Sequence, residues 1–248
     1  MLSKKEFIEI LKKIRSIDIL DPKEKRYLNN ILSSENDLPD SISLAKIVEK
    51  LALKDLREVT DEDGYFKQIT ENSNSEKSII YYVLNEEQIS CLHTLQVDEK
   101  WEWLGGSTIA IYIFLESEYK EIILGPDNPT FMVNKDTLFG ARNILSSNGS
   151  PYSLVTCTCE PSFHHTLYSI PTSDELKKLQ GKHGPIIDEL TPKILKNPIN
   201  KTKSSDENIH NNPKNKFIRS AFLFCAQCIG IKKNEEQTPL INSPQNNR

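Results

Sequence analysis

Hydrophobic and polar positions alternate with two different periods along this chain, and the change of period divides it into parts. In the first fifty residues apolar side chains recur every three or four positions with Lys and Glu between them, the pattern of amphipathic helices. Three helices are predicted there: one after Ser3 as cap, one from about residue 22 to 32 after Asp21 as cap, and one over 43–53. We therefore expect an N-terminal helical region.

From Ser78 to Ile170 the pattern changes to short β-branched and aromatic runs separated by turn signals. Strands are predicted over 78–84, 89–95, 99–104, 108–115, 121–124, 130–133, 138–145 and 152–159. Residues 96–98 are interpreted as a hairpin joining the second and third strands, and the charged tip 116–120 as a hairpin joining the fourth and fifth. Strands this short at this spacing predict an antiparallel sandwich or barrel.

A short helix over 173–179, capped by Ser173, follows the predicted strands. After about Lys196 the sequence is dominated by Asn, Lys, Ser and Pro, which cannot bury enough apolar surface to offset chain entropy. The predicted organisation is thus a helical extension over 1–42, a β domain over 43–180 and a largely disordered tail over 181–248. One apolar run, residues 217–231, interrupts the tail.

Charge and cysteine usage narrow the functional classes. The formal net charge is -4 and the pI near 5.8, with Lys and Glu interspersed rather than gathered into a basic stripe, so no nucleic-acid partner is expected. The first residues lack the uninterrupted apolar segment of a secretory signal, which predicts a cytoplasmic protein. Five cysteines without framework spacing predict reduced thiols.

The candidate chemistry lies around His93, Glu99, Trp101 and Trp103. In an extended strand the last three share one face, and a hairpin partner brings His93 beside Glu99 at the mouth of a barrel. An imidazole beside a carboxylate can shuttle a proton or hold a metal ion. The alternative is a solvent-facing hairpin end with His93 as a hydrogen-bonded strand residue, and spacing alone leaves both interpretations open.

Several motifs in the same region follow one family pattern. They lie at residues 61–67, 80–84, 92–93, 98–102, 124–127, 152–158 and 161–163. On these motifs residues 45–170 resemble the small cupin family called the fifth cupin family, whose barrel is like that of deoxysugar epimerases. The resemblance implies a mainly β fold, a cupin-type antiparallel jelly-roll barrel, and a homodimer. It implies a pocket rather than a substrate, because the family has no generally established activity.

The chain departs from the family pattern at the rim of the implied pocket. Glu102 occupies the position of the second histidine of the family motif, and Leu92 occupies the position of a tryptophan. Residues 133–139 replace the family's Val-Pro-Ala-Gly-x-Trp-Phe turn. Metal-binding cupins usually hold the ion with two or three histidines and a carboxylate. Since strict alternation sends Glu102 to the face opposite Glu99, we predict no metal site and no cofactor.

We expect the barrel to bind a small polar ligand, and a sugar-like molecule is one candidate. His93 and Glu99 are the predicted ionisable or catalytic groups. The predicted ligand-binding walls are Tyr82, Trp101, Phe139 and Tyr152.

Three functions stay open from sequence. The first is a binding protein without turnover, which the altered motifs favour. The second is an enzyme like the deoxysugar epimerases, an epimerase or isomerase with His93 as base and Tyr82 or Tyr152 as acid. The third is an interaction or secreted effector protein, delivered into a host, whose added helices and tail carry the function.

The other histidines and cysteines considered are not predicted to be catalytic or to bind a metal ion. His164 and His165 are expected to point to opposite faces of a surface segment, and Cys157 and Cys159 to be small core residues. The CxxC motif at 225–228 lies in the apolar run 217–231, whose basic flanks suit weak membrane-surface contact with S-acylated cysteines. The alternative is a helix that docks on the barrel or in a dimer contact.

Overall fold

The computed structural model describes residues 1–56, 62–70, 76–116, 118–144 and 150–191. The helices in this part of the chain are α1 (Lys4–Arg15), α2 (Pro22–Ser33), α3 (Leu44–Leu51), α4 (Ser173–His183) and α5 (Pro185–Leu190). Short 3-10 turns cover Glu35–Asp37 and His165–Leu167. None of the helices in the described ranges has the length and apolar composition needed to cross a bilayer.

The helix starts follow from side chains that satisfy free backbone N–H groups. Ser3 and Glu6 form a reciprocal capping box on α1, and the side chains of Asp21 and Ser43 accept the backbone N–H groups of Lys23 and Lys46. The three predicted N-terminal helices are confirmed, as are the caps Ser3 and Asp21 predicted for the first two. The predicted cap of α4 is wrong by one residue, because Thr172 forms a capping box with Glu175 and leaves Ser173 in the first turn.

The described part of the chain contains thirteen strands. They are β1 (Leu2–Ser3), β2 (Ser41–Ile42), β3 (Lys54–Asp55), β4 (Tyr65–Gln68), β5 (Ser78–Asn85), β6 (Ile89–Leu95), β7 (Asp98–Gly106), β8 (Thr108–Phe114), β9 (Tyr119–Leu124), β10 (Thr130–Val133), β11 (Leu138–Ile144), β12 (Tyr152–Glu160) and β13 (Tyr168–Ser169). Each of the eight strands predicted from sequence is present.

Two antiparallel sheets face each other and form the barrel. The six-stranded sheet has the order β10-β7-β12-β5-β4-β3, and the five-stranded sheet has the order β13-β6-β11-β8-β9. Apolar side chains from the inner faces of both sheets pack together between them, among them Val155 from β12 and Ile111 from β8. The predicted mainly β, antiparallel jelly-roll barrel is confirmed.

The predicted hairpin at residues 96–98 is wrong. Strand β6 pairs with β11 and β13 in one sheet, whereas β7 pairs with β12 and β10 in the other, so the connection crosses between the sheets. A short polar link between two strands has the same appearance in both arrangements. The predicted β8–β9 hairpin is confirmed by the register Ile109↔Leu124 to Phe114↔Tyr119.

The N-terminal helices cover the outer face of the six-stranded sheet. Phe7, Leu11 and Ile14 of α1 are almost completely buried in a cluster that also contains Tyr81 of β5 and Leu154 of β12. The spacing of these helical residues puts them on one stripe, as expected for an amphipathic helix on a sheet. The helical extension and the barrel therefore share a core.

Helices α4 and α5 cover the outer face of the five-stranded sheet. Ile187 and Leu190 of α5 are buried with Leu92 of β6 and Tyr112 of β8. The ordered structure therefore continues past residue 180, and residues 181–191 do not belong to a disordered tail. Periodicity did not predict α5 because Gly184 and Pro185 interrupt the pattern directly before it. The rest of the predicted tail, including the apolar run 217–231 and its CxxC motif, lies outside the described residues.

Candidate functional site

Strand alternation sets which side chains of β7 enter the barrel. Glu99, Trp101 and Trp103 face inward, and Glu99 and Trp101 are 8% and 1% exposed. Glu102 faces the opposite way, where its carboxylate lies 2.6 Å from Nζ of Lys13 on α1. The residue in place of the second motif histidine thus joins the barrel to the helical layer.

His93 lies on the inner face of β6 and is 5% exposed. Its Nδ1 is 2.7 Å from the backbone oxygen of Cys91, and because a carbonyl oxygen only accepts, Nδ1 carries the hydrogen of that bond. No described residue forms a hydrogen bond with Nε2. In the neutral ring Nε2 therefore bears the lone pair, which makes it the available acceptor or base.

Glu62 is the nearest carboxylate to His93, and sequence reasoning did not single it out. Its Oε1 lies 3.7 Å from Nδ1 of His93 and accepts a hydrogen bond from the hydroxyl of Tyr168 at 2.9 Å. The thiol of Cys91 is 3.4 Å from the same oxygen. The sequence signal for Glu62 is its position in the 61–67 motif.

Tyr168 covers the other face of this group and was also missed. Its ring lies 5.1 Å from the His93 ring at an interplanar angle of 26°, while Phe139 packs against His93 at 4.1 Å. The imidazole is thus held between two aromatic rings. Tyr168 comes from the short strand β13, which no periodicity predicted.

Glu99 is bound mainly to its own strand. Its Oε2 accepts a hydrogen bond from the Trp101 indole at 2.7 Å, and its Oε1 lies 4.0 Å from the Cys159 thiol. Burial raises the pKa of Glu99, and the His93 charge and the Trp101 hydrogen bond act in the opposite direction. His93 and Glu99 therefore interact electrostatically across the barrel, rather than as hairpin neighbours.

Three of the four predicted wall residues meet inside the barrel. Tyr82 packs edge-on against Trp101 at 5.9 Å, and Trp101 packs edge-on against Phe139 at 6.4 Å. The Tyr82 hydroxyl donates to the backbone oxygen of Asp63 at 2.8 Å, and burial raises the pKa of Tyr82 well above its usual range. The Tyr82 hydroxyl is therefore protonated and holds the backbone at Asp63 through its hydrogen bond.

Tyr152 does not line this interior. Its side chain lies in the core shared with α1, and its hydroxyl donates to the backbone oxygen of Ile42 at 2.8 Å. The physical reason is parity: Cys157 and Cys159 of β12 face inward, so a residue an odd number of positions away faces outward. Tyr152 is therefore not a pocket wall or an internal acid.

The cysteines of β12 and the adjacent histidines after it do not take part in the group around His93. Burial raises the pKa of the Cys157 and Cys159 thiols, as expected for small core residues. His164 and His165 do not point to opposite faces, because a 3-10 turn begins at His165 and brings their rings to 4.2 Å.

The described side chains do not fit the ligand set of metal-binding cupins. No group of three or more His, Cys, Asp or Glu residues in these ranges is arranged to hold a metal ion. Nδ1 of His93 is engaged by a carbonyl, one oxygen of Glu99 is engaged by Trp101, and Glu102 lies on the other face of the sheet. We derive no chemistry through a metal.

Two open clefts lie outside the barrel. One of about 610 Å³ is lined by residues such as Glu86 and Arg142, and one of about 390 Å³ by residues such as Lys100 and Thr158. Neither is lined by His93 or Glu99. The polar group around His93 and Glu99 is buried and separate from both clefts.

Comparison with solved structures gives two similar folds. A hypothetical protein from Leishmania major is 20% identical, with a TM-score of 0.54 over 60% of this chain and 98% of that one. A protein from Shewanella oneidensis is 22% identical, with a TM-score of 0.51 over 61% of this chain and 98% of that one. At this identity the likeness shows the fold alone.

A comparison with curated proteins finds no match to this chain. Among protein families, residues 45–170 match the family described as Cupin superfamily (DUF985). The match begins within α3 and ends just after β13, so it includes each strand of the two barrel sheets. Because it spans half of the chain and agrees with the jelly-roll topology, this protein belongs to that cupin family.

Proposed function

We propose that this protein binds a small polar, sugar-like ligand inside its barrel, with His93 and Glu99 as the groups that recognise it. One observation carries the proposal: His93 is buried with Nδ1 satisfied by a backbone carbonyl, while no described residue hydrogen-bonds to Nε2. Nε2 is the ring nitrogen that no described residue engages, so it is available to accept a hydrogen bond from a ligand hydroxyl.

The surroundings of His93 support a polar ligand with an apolar face. The carboxylates of Glu62 and Glu99 supply hydrogen-bond acceptors, and Phe139 and Trp101 supply apolar surface. A few polar groups set among aromatic walls are typical of sites for small molecules. A hydroxyl-rich ligand can donate to the carboxylates and stack its apolar face on the rings.

The test is ligand identification followed by a matched pair of variants. Native mass spectrometry of protein purified without added ligand is expected to show a bound small molecule, and titration calorimetry with that molecule then gives its affinity. His93→Gln is expected to weaken binding at least about tenfold, the effect of losing one hydrogen bond to a charged or polarised group. Glu87→Gln introduces the same residue at an exposed position on the turn between β5 and β6 and is expected to leave binding unchanged.

If no small molecule is recovered, the same titration is run with a panel of monosaccharides and sugar nucleotides. Binding that His93→Gln and Glu87→Gln affect equally would exclude His93 as a recognition group. No binding to any member of the panel, together with an empty protein, would contradict the proposal.

Enzymatic turnover of such a ligand is a second candidate. The observation that favours it is the placement of Nε2 of His93 as a base, with the Tyr168 hydroxyl bound to Glu62 beside it. Epimerisation at a carbon next to a carbonyl would require His93 to remove a proton and a second group to return it. Solvent deuterium incorporation into the identified ligand, lost in His93→Gln, is the expected result.

A further inference from the structure

The polar group inside the barrel is buried, so a ligand needs a route to it. His93 and Cys91 on β6 are 5% and 2% exposed, and Glu99 on the opposite sheet is 8% exposed. Access therefore requires an element over these residues to move. A short element at the edge of the sheet beside His93 is the candidate for that route.

Residues 165–169, which we call the cover segment, join the barrel through a two-residue strand ladder. The segment consists of the 3-10 turn and the two-residue strand β13, which lies at the edge of the five-stranded sheet. It pairs with β6 through only Tyr168↔Leu95 and Ser169↔Thr94. Outside these pairs, the backbone N–H of Gln96 donates to the oxygen of Leu167 at 2.9 Å. Short edge elements with few backbone hydrogen bonds open at low free energy.

Tyr168 is the part of the cover segment that closes the site. Its ring stacks on His93 at 5.1 Å, and its hydroxyl donates to Glu62 at 2.9 Å and lies 3.6 Å from the Cys91 thiol. The Tyr168–Glu62 hydrogen bond joins the cover segment to the chain that leads into β4. This hydrogen bond connects β13 at one side of the site to the segment before β4 at the other side.

We propose that the cover segment is a gate over the barrel site, closed by the hydrogen bond from Tyr168 to Glu62 and opened when that bond breaks. The inference deepens the proposed function and rests on it, because a gate matters only if a ligand enters. Opening itself requires no ligand, so it can be measured independently.

Cys91 provides the measurement, because its thiol lies directly under Tyr168. The full-length reduced protein is treated with iodoacetamide under native conditions, and alkylation of each cysteine is followed by peptide mass spectrometry. Cys157, which is 4% exposed and lies on the other sheet, is the internal control for global unfolding. If the gate opens locally, Cys91 is expected to react faster than Cys157.

Two variants test the gate from opposite directions. Tyr168→Phe keeps the stacked ring and removes the closing hydrogen bond, so the Cys91 rate is expected to rise about tenfold while the Cys157 rate stays constant. Thr94→Cys with Ser169→Cys replaces two hydroxyls that lie 2.7 Å apart in register across β6 and β13. Once oxidised, this pair is expected to lower the Cys91 rate to that of Cys157, and reduction is expected to restore it.

Equal rates for Cys91 and Cys157 in the wild type would overturn the gate, since opening would then be global. An oxidised Thr94→Cys/Ser169→Cys pair that leaves the Cys91 rate unchanged would also overturn it, because Cys91 would be reached by another route. If the labelling pattern holds but no ligand binds, the proposed function fails and the local opening stands. If a ligand binds but the labelling pattern is absent, only the gate fails.

Discussion

The Glu99 carboxylate is buried inside the barrel, where little water can solvate its charge. Burial raises its pKa, and the neighbouring Trp101 hydrogen bond and His93 charge compensate only in part. A carboxyl whose folded-state pKa is raised favours the protonated form in the folded state. Its ionised form therefore costs stability above that pKa, and the cost vanishes below the unfolded-state pKa of about 4.3.

Glu99→Gln is therefore expected to stabilise the protein at neutral pH. The free energy of unfolding should rise by roughly 1–3 kcal/mol near pH 7.5, the scale of the desolvation penalty for a buried group whose hydrogen bonding is incomplete. The gain should shrink as the pH falls and disappear near pH 4. Urea unfolding of both proteins between pH 4 and 8 measures this difference.

Glu87→Gln is the matched control, because Glu87 is exposed on the turn between β5 and β6. Its effect is expected to stay within about 0.5 kcal/mol at every pH. A Glu99→Gln protein that is less stable than the wild type at neutral pH would show that the ionised carboxylate is well compensated in its hydrogen bond with Trp101.

The sequence predicted which side chains of one strand face into the barrel. It did not predict which residues from other segments contact those side chains. Parity within β7 placed Glu99 and Trp101 on one face, and the same rule applied to β12 would have excluded Tyr152. Glu62 and Tyr168 were missed because they come to His93 from opposite ends of the barrel sequence. Which distant segments meet is set by the pairing of strands, and local periodicity does not contain that information.

At the scale of elements, α2 is attached to the barrel by a buried ion pair. Glu24, which is 6% exposed, lies 2.5 Å from Nζ of Lys67 on β4 and accepts a hydrogen bond from Tyr81 of β5 at 3.4 Å. The Lys67 ammonium also lies 4.7 Å from the Tyr27 ring centroid. Removing one partner would leave the other partner buried without its countercharge.

Glu24→Gln is expected to destabilise the protein by about 2 kcal/mol, less than for a fully buried pair because Lys67 is partly exposed. Thermal unfolding followed by circular dichroism gives the change. The control is Glu49→Gln, which breaks the exposed Lys46–Glu49 pair within α3 and should cost at most about 0.5 kcal/mol. Equal effects of the two substitutions would mean that the Glu24–Lys67 pair behaves as a surface pair.

The elements themselves were predictable wherever one local rule decided them. Caps fixed the helix starts, and β-branched runs fixed the strands. The link between β6 and β7 failed because a two-strand hairpin and a crossing between sheets place the same polar residues between the same apolar runs. Only the long-range pairing of β7 with β12 separates the two arrangements.

At the scale of the whole molecule, the helical extension and the barrel should unfold together. Their shared core joins Phe7 and Leu11 of α1 to Tyr81 of β5, so neither part keeps its buried surface without the other. Both tryptophans lie on β7 in the barrel, whereas the helices dominate circular dichroism at 222 nm. The two signals therefore report on different parts of one structure.

Phe7→Ala is expected to lower the stability of both parts by about 3–5 kcal/mol, because it opens a cavity in that shared core. Urea transitions by tryptophan fluorescence and by circular dichroism should shift together. Phe163→Ala, the same change at a residue that is 36% exposed, should shift neither by more than about 1 kcal/mol. Separate transitions would contradict the shared core and identify the helices as an independent unit.

The homodimer implied by the family resemblance stays a prediction for the whole molecule. Light scattering coupled to size-exclusion chromatography is expected to give twice the chain mass of 28.4 kDa. A mass of one chain at micromolar concentration would contradict it.

Strand β12 pairs with β5 on one side and with β7 on the other, and Tyr152 is opposite Asn85, about 70 residues earlier in the chain. During synthesis β5 and β7 must therefore wait for β12 to leave the ribosome before the centre of the six-stranded sheet can form. At ~5–20 residues per second this wait lasts several seconds, during which two apolar strands have unpaired edges. The position of one strand in the sheet thus sets the time at which the barrel can close, because its centre is complete only after residue 160 has left the ribosome.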